Sequence, residues 1–63
     1  MTQKELSYLE DAVGHEKSII KIIEESIKNL DNEELISFMN NELTIHETIK
    51  QNLMNILEVK VNG

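Results

Sequence analysis

The segment Asp31-Asn32-Glu33-Glu34 lies at the centre of the chain and interrupts a long pattern of apolar residues at helical spacing. Asp31 and Glu34 have the spacing of a capping box, and acidic residues suit the first turn of a helix because of its dipole. The segment therefore predicts a short turn near residue 31 that leads directly into a second helix. Because the turn is short, the two helices are expected to be antiparallel neighbours.

The residues before the turn predict the first helix. Thr2-Gln3-Lys4-Glu5 has capping-box spacing. Apolar residues then recur at steps of three and four, which indicates a helix with heptad character; they are Leu6, Leu9, Val13, Ile20, Ile23, Ile27 and Leu30. Helix 1 is therefore expected over about 3–30. Gly14 is its one poor helix former, and two interpretations stay open: it makes room for another backbone, or it has no role.

The residues after the turn predict a second helix over about 32–60, ahead of the closing Asn62-Gly63. Its main apolar stripe is Leu35, Phe38 or Met39, Ile45, Ile49, Leu53 and Ile56. The expected fold is all-α: residues 1–63 form a single domain, an antiparallel two-helix hairpin.

Each helix carries more apolar surface than one neighbour can cover. A second set of apolar residues flanks each main stripe: Tyr8, Ala12, Ile19 and Ile22 on helix 1, and Ile36, Leu43, Met54 and Leu57 on helix 2. A chain of this size has little core of its own. We therefore expect self-association into a homodimer or higher oligomer, such as an antiparallel or crossed four-helix bundle with twofold symmetry. The alternative is that the second set only widens a single seam.

Three polar residues occupy stripe positions: Glu16, Glu42 and His46. Glu16 lies fifteen residues before Asp31 and His46 fifteen after it, so a hairpin centred on Asp31 places them at one height. Glu42 is four residues before His46 and shares its helix face. We expect the three side chains to converge midway along the hairpin.

A homodimer would double this set to carboxylates and imidazoles from four helices, which resembles the ligand inventory of dimetal helical bundles. Glu16, Glu42 and His46 are therefore the candidate metal ligands, with iron, manganese or zinc as the metal. Their Glu-to-His spacing of four differs from the spacing of three in those sites. The interpretation we favour is a structural Glu16–His46 pair that sets register without a metal, so no cofactor is expected and the metal site is the alternative. A weaker ligand set is Asp11, His15 and Glu47.

Composition excludes several functions. The chain has no cysteine, which excludes disulfides and thiolate zinc sites, and its formal net charge of −6 argues against a nucleic-acid binder. It has no glycine-rich phosphate loop and no convincing serine–histidine pair, so no enzyme activity is expected. Apolar runs never exceed two residues and no signal peptide is recognisable, so no membrane partner and a cytoplasmic location are expected.

The stretch Tyr8-Leu9-Glu10-Asp11-Ala12-Val13-Gly14-His15-Glu16-Lys17, followed by Asp31-Asn32-Glu33-Glu34-Leu35 and His46, resembles small proteins of endospore-forming bacteria. These belong to the spore coat F family, a ferritin-like helical group. The resemblance implies a ferritin-like helical fold and an association with spores. It also carries a first-helix glutamate onto Glu16 and a second-helix ligand position onto Glu42 or His46.

The sequence as a whole therefore favours a non-enzymatic, self-associating helical protein that serves as a structural component associated with spores. The alternative function is a minimal ferritin-like metal-binding bundle.

Overall fold

A computed structural model describes the backbone of residues 1–62 and the side chains of residues 1–60. Helix α1 spans Gln3–Lys28 and helix α2 spans Glu33–Asn62. The two helices pack against each other as a hairpin, and the described residues contain no strand. The prediction of an all-α helical hairpin is confirmed. Helix α2 continues past residue 60 to Asn62, while Gly63 lies outside the described residues.

The start of α1 is closed by the predicted capping box. The Glu5 amide donates to the Thr2 hydroxyl at 3.0 Å, and the Thr2 amide donates to the Glu5 carboxylate at 2.8 Å. The backbone hydrogen bond from Thr2, followed by the bond to its hydroxyl, holds the pKa of Glu5 below its ordinary value. The ionised carboxylate therefore stabilises this cap, and that stabilisation is lost as the pH falls through the lowered pKa.

The turn is longer than predicted, because α1 ends at Lys28 rather than near residue 30. The Asn29 and Leu30 amides donate to carbonyls three residues back, and the Asn29 side chain donates to the Glu25 carbonyl at 2.9 Å. These bonds satisfy the last carbonyls of the helix and stop its propagation.

The cap of α2 is Asn32, and the predicted Asp31–Glu34 capping box is wrong. The Leu35 amide donates to Asn32 Oδ1 at 3.0 Å, so the helix starts at Glu33, one residue later than expected. With Asn32 as cap, the third helical position is Leu35, whose side chain cannot bond back to the cap amide.

The two helices meet along a seam with heptad spacing on both sides. The seam residues of α1 are those predicted: Leu6, Leu9, Val13, Glu16, Ile20, Ile23 and Ile27, and Leu30 of the turn continues the seam. The seam residues of α2 are Ile36, Met39, Leu43, His46, Lys50, Leu53 and Leu57. Among described residues only Val13, Ile20 and Ile23 are buried, so the hairpin has very little core.

The predicted division of α2 into a main and a flanking stripe is largely wrong. Met39 and Leu53 lie in the seam as predicted, but Leu35, Phe38, Ile45, Ile49 and Ile56 are exposed, by 38 to 57%. Ile36, Leu43 and Leu57, assigned to the flank, are the residues that pack on α1. The exposed stripe lies one residue earlier than the seam and has the same spacing. Apolar periodicity alone therefore does not distinguish the two stripes.

The positions next to the seam divide the hairpin into two sides. One residue is a rotation of about 100° in the same sense along each helix, so equal offsets from the seam reach the same side of an antiparallel pair. A shallow groove confirms this: Glu10, Gly14 and Lys17 of α1 line it together with Met54 of α2, and all four follow a seam residue by one. The positions one before the seam therefore share the opposite side.

That opposite side is apolar on both helices, and we call it the outer face. Its apolar residues are Tyr8, Ala12, Ile19 and Ile22 on α1, and Leu35, Phe38, Ile45, Ile49, Ile56 and Val59 on α2. Most of them are exposed, with Tyr8, Ile22 and Val59 each more than 60% exposed. Within the described residues, no helix combines the length and apolarity needed to cross a bilayer.

Gly14→Ala is expected to stabilise the protein by about 0.5–1 kcal/mol, because alanine is the better helix former. A Cβ built at Gly14 meets no atom within 4 Å, so nothing in the chain opposes the methyl group. Urea denaturation followed by circular dichroism at fixed protein concentration measures the change. Ser7→Ala, on the same polar side, is the control and should give a smaller gain. A loss of stability in Gly14→Ala would mean that another backbone packs on this position.

Candidate functional site

The contact between Glu16 and His46 joins the two helices midway along the hairpin. His46 Nδ1 lies 2.6 Å from Glu16 Oε2. Both side chains are largely withdrawn from water, with 25% of His46 and 13% of Glu16 exposed. The prediction that these two residues meet at one height is confirmed. Among the described residues this is the one side-chain hydrogen bond between α1 and α2, which makes it the polar contact that sets their register.

The contact constrains where the imidazole carries its hydrogen. An ionised Glu16 carboxylate can only accept, so opposite that form His46 carries a hydrogen on Nδ1 and donates it. The neutral imidazole then presents its Nε2 lone pair, and a protonated imidazole presents a second N–H. A carboxylate that holds one histidine nitrogen and orients the other toward a ligand is also the arrangement found behind metal-bound histidines. The pair is therefore compatible with a structural role and with a ligand role for Nε2.

Glu42 does not join this pair within one chain. It is half-buried on the outer face, one residue before the seam residue Leu43. Among the described residues, no hydrogen bond or ion pair links Glu42 to Glu16 or His46. The described part of the chain also contains no group of three or more His, Cys, Asp or Glu side chains placed to hold a metal. Asp11, His15 and Glu47 are exposed.

The outer face carries most of the exposed apolar side chains described in the hairpin. The exposed large apolar residues described within the two helices lie on this side, with the exception of Met54; Met1, which precedes α1, is also exposed. On α2 the face has heptad spacing from Leu35 to Val59, and its two polar positions are Glu42 and Asn52. Val59 was not recognised in the sequence, although its spacing of three from Ile56 continues the stripe.

Comparison of the chain with protein-family models, with curated proteins and with solved structures found no match.

A double-mutant cycle on the pair should show strong coupling. Glu16→Leu or His46→Leu alone is expected to lower the free energy of unfolding by about 1–3 kcal/mol, because each leaves a partly buried polar partner unpaired. The Glu16→Leu/His46→Leu double variant should recover wild-type stability or exceed it, since both desolvation penalties are removed. Urea denaturation of the four proteins at one concentration gives the coupling energy.

Glu16→Gln is the matched control, because its amide oxygen still accepts from His46 Nδ1–H, and it should cost less than Glu16→Leu. Additive losses in the double variant would contradict a coupled pair.

Proposed function

We propose that this protein is a non-enzymatic, self-associating helical protein whose outer face packs against the outer face of a second copy. The observation that carries the proposal is a set of exposed apolar side chains on both helices, all on one side of the hairpin and opposite a polar side. Soluble monomers rarely leave an apolar surface of this extent uncovered.

Two quantities support a second copy as the partner. The Cα extents of 45 × 15 Å give the outer face a footprint on the order of 700 Å², close to the 800 Å² or so that each partner contributes to a standard interface. Among the residues whose burial is described, the hairpin also buries only Val13, Ile20 and Ile23, less than a 63-residue chain normally needs to fold alone. A four-helix bundle of two hairpins supplies the missing core.

The resemblance of residues 8–17, 31–35 and His46 to the spore coat F family supports a structural role in a spore layer for this assembly. In that role the protein contributes packing surface rather than chemistry, which is consistent with a fold whose main uncovered feature is apolar.

Sedimentation of the wild-type protein at tens of micromolar should show a dimer or higher oligomer. Ile49→Asp should raise the dimer dissociation constant by about a hundred-fold or more, because two isoleucine side chains per dimer lose their burial. Met54→Asp is the matched control: Met54 has nearly the same exposure, 39% against 38% for Ile49, but lies on the opposite side of α2. It should leave the assembly intact.

A wild-type monomer that remains fully helical at this concentration would contradict the proposal. An assembly that Met54→Asp dissociates and Ile49→Asp leaves intact would contradict the outer face as the interface. It would place the interface on the opposite side of the hairpin.

The second candidate function is a minimal ferritin-like metal-binding bundle, favoured by the 2.6 Å Glu16–His46 contact. In this reading His46 offers Nε2 to iron, manganese or zinc while Glu16 orients the ring, and Glu42 supplies a further carboxylate. Within the described part of one chain no three-residue group is assembled, so in this proposal a second copy completes the ligand set.

Metal binding predicts that the melting temperature of metal-free protein rises when iron(II), manganese(II) or zinc(II) is added, since a ligand that binds the folded state stabilises it. Replacing Glu16, Glu42 and His46 together with leucine should abolish the rise. Replacing Glu10 and Glu24, two exposed carboxylates on the polar side, with leucine is the control and should preserve it. No rise with any of the three metals, together with equal or higher stability of the triple variant, would leave the structural role.

A further inference from the structure

We propose that the two copies pack with their turns at opposite ends, about a twofold axis perpendicular to the helices at the height of Glu47, so that Glu42 of each copy meets Asn52 of the other. This inference rests on the proposed self-association and specifies its geometry. It follows from the order of residues on the outer face and from the height at which the Glu16–His46 contact holds the two helices.

The outer stripe of α2 is symmetric about residue 47. Its eight heptad positions are Leu35, Phe38, Glu42, Ile45, Ile49, Asn52, Ile56 and Val59. The two polar residues lie five before and five after Glu47. When two copies of α2 run antiparallel about this height, Glu42 faces Asn52, and the remaining positions pair as Leu35 with Val59, Phe38 with Ile56 and Ile45 with Ile49.

This register is favoured over its neighbours by the polar pair. Sliding one copy by a heptad in either direction places Glu42 opposite Ile45 or Val59, and the carboxylate then lacks a polar partner. Burying a carboxylate without a partner is costly. In the symmetric register the Asn52 amide donates to the Glu42 carboxylate, and the same bond forms twice in the dimer.

Glu42 also disfavours the packing in which both turns lie at one end. In that arrangement α2 of one copy lies on α1 of the other at equal heights. The 2.6 Å contact puts Glu16 level with His46, so Glu42 is level with Ile20. The nearest outer-face residues of the partner copy are then Ile19 and Ile22, and neither can bond to a carboxylate.

Helix α1 gives the same height for the axis. The residue of α1 level with Glu47 is His15, which lies on the outer stripe of that helix. Tyr8 and Ile22 lie seven before and seven after His15, so an axis at this height places them opposite each other. Tyr8 and Ile22 are the large apolar residues of α1 that are exposed on the outer face, by 62 and 64%. In the proposed dimer the second copy covers both.

Disulfide trapping distinguishes the two packings, because the chain has no native cysteine. A mixture of Leu35→Cys and Val59→Cys proteins should form the mixed disulfide under mild oxidation, since the proposed axis makes these positions opposite. A mixture of Leu35→Cys and Ser26→Cys is the matched control. Those positions are adjacent only when both turns lie at one end, so no mixed disulfide is expected. Intact mass identifies each mixed species.

Asn52→Leu provides a second test with opposite signs for the two packings. With the turns at opposite ends, Asn52→Leu should raise the dimer dissociation constant about ten-fold or more, because Glu42 loses its partner. With both turns at one end, Asn52 lies beside Tyr8 and Ala12 of the partner copy, and leucine should strengthen the dimer. Glu42→Leu/Asn52→Leu should restore or exceed wild-type affinity.

A dimer that forms the Leu35/Ser26 disulfide, that forms neither disulfide, or that Asn52→Leu strengthens would overturn this packing while leaving self-association in place. A wild-type protein that sediments as a monomer would overturn both.

Discussion

A hairpin of two helices can bury one apolar stripe on each helix. Each helix of this chain carries two apolar stripes. The seam takes the stripe that contains Glu16 on α1 and His46 on α2, and the polar contact between them fixes the height of one helix against the other. This choice of which stripe lies in the seam determines the surface of the hairpin. It turns the second stripe of both helices to one common side, and it leaves only three of the described side chains buried.

Much of this arrangement is readable from the sequence. The capping box at Thr2, the stripe of α1 and the short turn all follow from spacing rules that act locally. The meeting of Glu16 with His46 follows from counting residues on either side of Asp31, because a helix rises by a constant amount per residue. Local rules therefore predict the hairpin and the height of its central contact.

The allocation of stripes on α2 does not follow from such rules. The two stripes have the same heptad spacing, and each has two polar interruptions: His46 and Lys50 in the seam stripe, Glu42 and Asn52 in the outer stripe. The outer stripe is even the richer in isoleucine, which makes hydrophobicity a misleading guide. Lys50 is tolerated in the seam because its alkyl stem packs there while the ammonium reaches water. The one informative signal was that His46 finds a carboxylate across the hairpin. The same one-residue difference explains why Glu42 was expected beside the pair and instead lies on the outer face.

The scarcity of buried side chains has a consequence for the life of the protein in a cell. Val13, Ile20 and Ile23 are the buried side chains of residues 1–60, so a single hairpin has little to oppose the entropy of its chain. In the proposed dimer, folding and association become one event, and the folded fraction depends on how much protein is made. In such a dimer, chains at concentrations below the dissociation constant are unfolded and open to proteolysis, whereas chains at concentrations above it are folded and protected. Abundance itself then acts as the switch between a degraded peptide and a stable bundle.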